Sequence, residues 1–140
     1  MILISHRGNL SGKGSADENN PKVVKDVLGL GYDVEVDAWY QDEKFYLGHD
    51  APTHEVDYEF LMHPRIWVHA KNLEAVERFK RMRSVHWFWH ESDKICLTNF
   101  GHIWCYPGHE VRGGIANDVG QQIDLSLVGG VCSDDIKRFA

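Results

Sequence analysis

The sequence is short of everything that marks a disulfide scaffold, a membrane span or a nucleic-acid-binding surface. Its three cysteines, Cys96, Cys105 and Cys132, are odd in number and none are spaced like a zinc knuckle. They predict buried free thiols and a reducing compartment. Basic residues are few: 15 Lys and Arg against 21 Asp and Glu, a formal charge of −6. The densest basic run, Arg78, Lys80, Arg81 and Arg83, falls on a helical pattern and reads as a solvated face. A phosphate-neutralising surface for nucleic acid is therefore not expected. No apolar run approaches the ~20 residues of a membrane span. The opening Met1–Ile4 is too short for a signal-peptide core. The expectation is a cytoplasmic chain with no transmembrane segment. Internal repeats, low-complexity tracts and linkers are also missing, which predicts one domain over residues 1–140.

What is there begins with short apolar runs separated by turn signals. Residues 2–5 read as a buried strand opening into His6-Arg7-Gly8. Residues 9–19 are rich in Gly, Ser, Asn and Asp and read as a loop. Asn20-Pro21 is a helix start, with Val23, Val24, Val27 and Leu28 on one face and Gly29 and Gly31 as the stop. Residues 33–39 form a second strand, and residues 45–47 return toward Gly48-His49-Asp50. Residues 66–70 are a third strand. Asn72 then caps a helix whose inner face would carry Leu73, Val76, Phe79 and Met82. Residues 85–89, 95–98, 102–106, 114–117 and 127–131 read as further strands, with room for a helix only at 119–125. Alternating strands and helices predict parallel pairing and an α/β fold. Eight strands in sequence predict a (β/α)8 TIM-barrel-like fold. Such barrels usually need ~250 residues, so several outer helices would be shortened or missing.

Glu35 and Asp37, two apart on a strand, point to one face, while Val34 and Val36 point to the other. Two inward carboxylates repel each other and must share a proton or bind a cation. Their oxygen donors suit a hard divalent ion. The competing reading is a half-exposed strand with its acids in water. His6, at the end of the first strand, and His49, where the chain returns after Glu35 and Asp37, are candidate acid and base. Arg7 can pair with a phosphate oxygen. Lys71, on the same face as His69 at the end of the third strand, is a phosphate-binding candidate. His90-Glu91 ends the fourth strand and could reach the same pocket.

Taken together, His6-Arg7-Gly8, Glu18-Asn19, Glu35-Val36-Asp37 and Gly48-His49-Asp50 resemble the glycerophosphodiester phosphodiesterase family in order and spacing. Lys71 and Gly130-Val131-Cys132-Ser133-Asp134 continue the resemblance more thinly. It implies a (β/α)8 barrel and a divalent metal, Mg²⁺ or Ca²⁺ with Mn²⁺ as a further option. Glu35 and Asp37 would be ligands, with Glu18 near the metal. His6 and His49 would be general acid and base, Arg7 would contact phosphate, and a small phosphodiester would be the substrate. Where the family has a metal-ligand glutamate on the third strand, this chain has His69, which favours an ion softer than Ca²⁺. Strand surfaces left without helices, with five tryptophans in the chain, predict a homo-oligomer. Two other readings compete: a non-catalytic module that binds a phosphorylated ligand, and a lyase-type phosphodiesterase resembling spider-venom phospholipases D. The missing disulfide pair weighs against the second.

Overall fold

A computed structural model describes residues 1–12, 14 and 16–140. Lys13 and Ser15, inside the expected 9–19 loop, lie outside the described residues. The elements in chain order are β1 (Ile2–His6), α1 (Pro21–Gly29), β2 (Asp33–Gln41), β3 (Lys44–Leu47), β4 (His54–Val56), α2 (Tyr58–Leu61) and β5 (Ile66–Ala70). Then come α3 (Leu73–Phe79), β6 (Trp87–Phe88), β7 (Ile95–Leu97), β8 (Ile103–Cys105), β9 (Ile115–Asn117), β10 (Gly130–Ser133) and a 3-10 turn, Ile136–Phe139.

All ten strands belong to one curled sheet. Seven run parallel, in the order β6-β5-β2-β1-β10-β9-β8. β7 turns back antiparallel on β8, and the β3–β4 hairpin extends the far end of β2. This half-barrel of sheet corrects the (β/α)8 expectation. Only three short α-helices are found among the described residues, and α1 and α3 cover one side of the β2–β5 region. The expected helix at 119–125 is turn and irregular chain, and the last strand starts at Gly130 rather than residue 127. The reason is length. After β6 the strands up to β9 are joined by connections too short for the dozen-residue helical crossovers of a full barrel, and the longest, residues 118–129 before β10, is turn and irregular chain. No ladder joins β6 to β7 among the described residues. Instead Asn99 spans the gap: its amide donates to Val85 O (2.8 Å), its side-chain oxygen accepts from Trp87 N (2.7 Å), and its own N–H reaches Trp87 O (3.1 Å).

Two cores result. Val24, Val27, Leu28, Val34, Val36, Val68 and Phe79 fill the space between sheet and helices. On the concave face Ile4, Trp67, Phe88, Trp104, Ile115 and Cys132 fill the curl. Asn20 caps α1 by accepting from Lys22 N, and Asn72 caps α3 by accepting from Ala75 N, as the sequence predicts. Leu73, expected on the inner face of α3, is exposed; Ala75 and Phe79 take that role. Gly48 ends the β3 return where a Cβ would lie 1.9 Å from Ala51 O, so only glycine fits.

His86 sits at the other end of the concave core. It is hydrogen-bonded to Thr98 Oγ1 (2.8 Å) and surrounded by Trp67, Phe100 and His102. Burial, then the charge of His102, lowers its pKa to about 4. A histidine depressed in the fold favours the neutral form. Its contribution is complete above the unfolded value near 6.5 and is lost as pH falls from there toward 4. Between pH 7 and 4 this should remove up to ~3 kcal/mol of stability. Urea unfolding of the wild type and His86→Gln at both pH values tests it. The wild type should lose more stability on acidification, and equal losses would reject the assignment.

Candidate active site

Parallel register places the chemistry at one end of the sheet. His6 stands opposite Glu35 across the β1–β2 pair, and Asp37 opposite His69 across β2–β5. Because β2 continues under both neighbours, Glu35 and Asp37 are buried, at 2% and 1% exposure. That excludes the half-exposed strand. These side chains open into a cleft of about 460 Å³.

Asp37 is the most heavily contacted. Asn19 donates to its Oδ2 (3.0 Å) and accepts from its backbone N–H (2.9 Å). Arg7 Nε lies 3.0 Å from the same oxygen, as an ion pair rather than an aligned hydrogen bond. His69 Nδ1 is 3.2 Å from Oδ1, His49 Nδ1 is 3.5 Å from Oδ2, and Lys71 Nζ is 4.0 Å from Oδ1. Burial opposes ionisation, but hydrogen bonding from His69 and the charge of Arg7 hold this carboxyl well below its usual range. Glu35 is the reverse. Burial and then the Asp37 charge raise its pKa, and its Oε2 has no hydrogen-bond partner. The nearest base is His6 Nε2, at 3.6 Å.

His6 Nδ1 is 2.8 Å from Asp134 Oδ1, which fixes the ring. Burial lowers the pKa of His6, but the bond to Asp134 and the charge of Glu35 outweigh it and raise the net value. Arg7 also donates to Glu18 Oε2 (3.2 Å) and to His49 Nδ1 (2.7 Å). A guanidinium has no acceptor, so His49 Nδ1 accepts and the His49 proton resides on Nε2. Both Arg7 and Asn19 adopt positive φ, +57° and +60°, and Asn19 N–H is bonded to Arg7 O. Strained backbone of this kind concentrates at functional sites.

Of the expected metal ligands, Glu35, Asp37 and His69 offer atoms within 4.8 Å of one another. Glu18 does not join them; it is tied to Arg7, Asn9 and the Gly14 N–H. The unpartnered, buried Glu35 oxygen is what a missing cation would leave, so the residues fit a divalent ion. Two carboxylates and an imidazole suit Mn²⁺ better than Mg²⁺ or Ca²⁺, which both prefer an all-oxygen shell. Arg7, His49 and Lys71 border the same cleft.

Sequence reasoning gave Asp134, Asn9 and Asn19 no role. Asn9 donates to both Glu18 (3.0 Å) and Asp134 (2.7 Å), linking the two acids. Asp134 ends the last strand, beside β1 in the sheet, and strand-end position is the signal that could have found it. His90 and Glu91, expected to reach the pocket, both line it, whereas Phe88, Trp104 and Tyr106 on the same aromatic side carried little signal. Burial, with His69 and Lys71 nearby, lowers the pKa of His90.

Comparison of the chain with protein-family models, with curated proteins and with solved structures gave no match. The site therefore rests on its own geometry.

Glu35→Gln separates structure from binding. Removing a buried, unpartnered charge should raise metal-free stability by ~1–2 kcal/mol. The same change should weaken Mn²⁺ binding by roughly tenfold or more, whereas Glu18→Gln should alter it by less than about threefold. Chemical denaturation and an Mn²⁺ titration followed by electron paramagnetic resonance provide the two readouts.

Proposed function

We propose that the protein is a metal-dependent phosphodiesterase that cleaves a small phosphodiester into an alcohol and a phosphomonoester. The observation that carries the reading is the buried Glu35 oxygen, unpartnered beside Asp37 and His69, in a cleft bordered by two imidazoles, Arg7 and Lys71. A cation held by Glu35, Asp37 and His69 would neutralise charge on the phosphate oxygens. Arg7 and Lys71 bind the phosphate, Arg7 exchanging its present partners for it. The hydrogen bonds favour His6 as base and His49 as acid. Asp134 holds His6 Nδ1, leaving Nε2 to take a proton from the attacking water. As the new O–P bond forms and the ester P–O bond breaks, His49 acts as the imidazolium, its Nδ1 released by Arg7 and facing Asp37 Oδ2, and gives its Nε2 proton to the departing alcohol oxygen. Apart from the metal, catalysis is positioning and electrostatics, as phosphoryl transfer requires.

A cytoplasmic setting accords with the three free thiols, whose pKa values burial raises, that of Cys96 to about 11. No helix among the described residues is long and apolar enough to cross a membrane. The expected homo-oligomer would form at the open β7 edge, where Ile95, Leu97 and Phe100 are exposed. Light scattering at micromolar concentration should then give a mass above one chain.

The deciding assay measures alcohol release from glycerophosphocholine, glycerophosphoethanolamine and an aryl phosphodiester with Mg²⁺, Mn²⁺, Ca²⁺ or chelator. Turnover should need metal and fall about 10²–10⁴-fold in His6→Ala and in His49→Ala. Asp134→Asn should cost roughly 10-fold or more through misorientation of His6. Absence of turnover with every metal, alongside retained phosphate-ester binding, would favour the non-catalytic binding module.

A further inference from the structure

The cleft has two unlike halves. On one side stand His6, Arg7, Glu35, Asp37, His49 and Lys71. The other is a wall of rings that starts at the ligand candidate His69 and runs on through β6 and β8. His69 stacks on Phe88 with centroids 5.1 Å apart and planes 5° apart, and Phe88 stacks on Trp104 at 4.5 Å. Farther out, His90 lies 5.3 Å from His69 and meets Tyr106 edge-on at 5.5 Å. Tyr106 is 42% exposed and lines the cleft mouth. The core of this wall is filled by its own rings, whereas Tyr106 at its rim makes one ring contact among the described residues, the edge-on one with His90.

We propose that this rim is the subsite for a planar aromatic ring carried by one of the alcohols of the phosphate ester. The inference rests on the phosphodiesterase reading and adds the class of substrate to it. Three observations favour a ring over the other occupants. A polyol needs several hydrogen-bonding partners, and the wall offers mainly ring faces. The Asn117 amide, the polar group nearest the wall on β9, is already committed to Cys105 O. A cation at the wall would have Glu91 among the lining residues but would face Lys71 and Arg7 on the other half of the cleft. A flat, uncharged ring suffers neither penalty and gains stacking. The chemistry is shared by aryl esters and by nucleoside esters, whose bases have the same π-face.

Binding of phosphomonoesters tests this without requiring turnover. Methyl phosphate, glycerol phosphate, phenyl phosphate, thymidine monophosphate and phosphocholine would be titrated calorimetrically into the full chain with Mg²⁺. Phenyl phosphate should bind roughly tenfold or more tightly than methyl phosphate, as one stacked ring commonly gives. Tyr106→Ala should narrow that ratio and Tyr106→Phe should keep it. Thymidine monophosphate binding tighter than phenyl phosphate identifies the nucleoside source, and the reverse order the aryl source. Glycerol phosphate equal to phenyl phosphate, or a ratio unchanged in Tyr106→Ala, would overturn the ring subsite and leave the phosphodiesterase reading intact. Phosphocholine binding tightest would overturn it in favour of a cation cage. Failure of every ester to bind would overturn both readings together.

Discussion

The repulsion between Glu35 and Asp37 is the constraint around which this molecule is organised. Strand alternation puts both on one face, and the neighbouring strands bury them. Two buried negative charges side by side cannot coexist without compensation. The fold spends its cationic and hydrogen-bonding groups unequally on the two. Asp37 receives Asn19, Arg7, His69 and, at longer range, Lys71. Among the described residues Glu35 has one ion-pair partner, His6, at 3.6 Å. One acid is thus held as a charge, while the other has its pKa raised and one oxygen without a hydrogen-bond partner. This asymmetry also accounts for the backbone at Arg7 and Asn19. Each adopts an unfavourable conformation that the bonds around Asp37 hold in place.

A sheet with few covering helices can still build such a site because the site depends on register. β1, β2 and β5 supply His6, Glu35, Asp37 and His69, and the segments that leave β1, β3, β5 and β10 supply the other polar groups; β1, β2, β5 and β10 are neighbours in the best-paired part of the sheet. Helices α1 and α3 support that part alone. The later strands, β7 to β9, are three residues each and lack such cover. Their contribution is the ring wall, which tolerates looser positioning than proton transfer does.

The first half of the chain was legible because its signals are local. Caps at Asn20 and Asn72, glycine stops and the i, i+2 acids all follow from nearest-neighbour chemistry, and these elements fall where the sequence places them. The second half was not. Strands of two or three residues have no measurable period, and strand counting mistook their number for a full barrel. Leu73 fitted an inner helical stripe and yet is exposed, because α3 turns Ala75 and Phe79 inward. Within the site, spacing singled out His6, Glu35, Asp37 and His49. It could not show that Glu18 turns to Arg7, or that Asp134, 128 residues away, orients His6.

The clip at Asn99 gives the cleft a built-in seam. Phe88 and His90 belong to the β6 side, Trp104 and Tyr106 to the β8 side, and no strand ladder crosses between them among the described residues. The width of the ring wall is therefore governed by a side-chain amide and the His86–Thr98 bond beneath it. Such a joint can breathe while every sheet pairing persists. The ring side of the cleft is thus held by side-chain contacts and ring stacking, whereas the acid–base side is held by the β1–β2 and β2–β5 ladders.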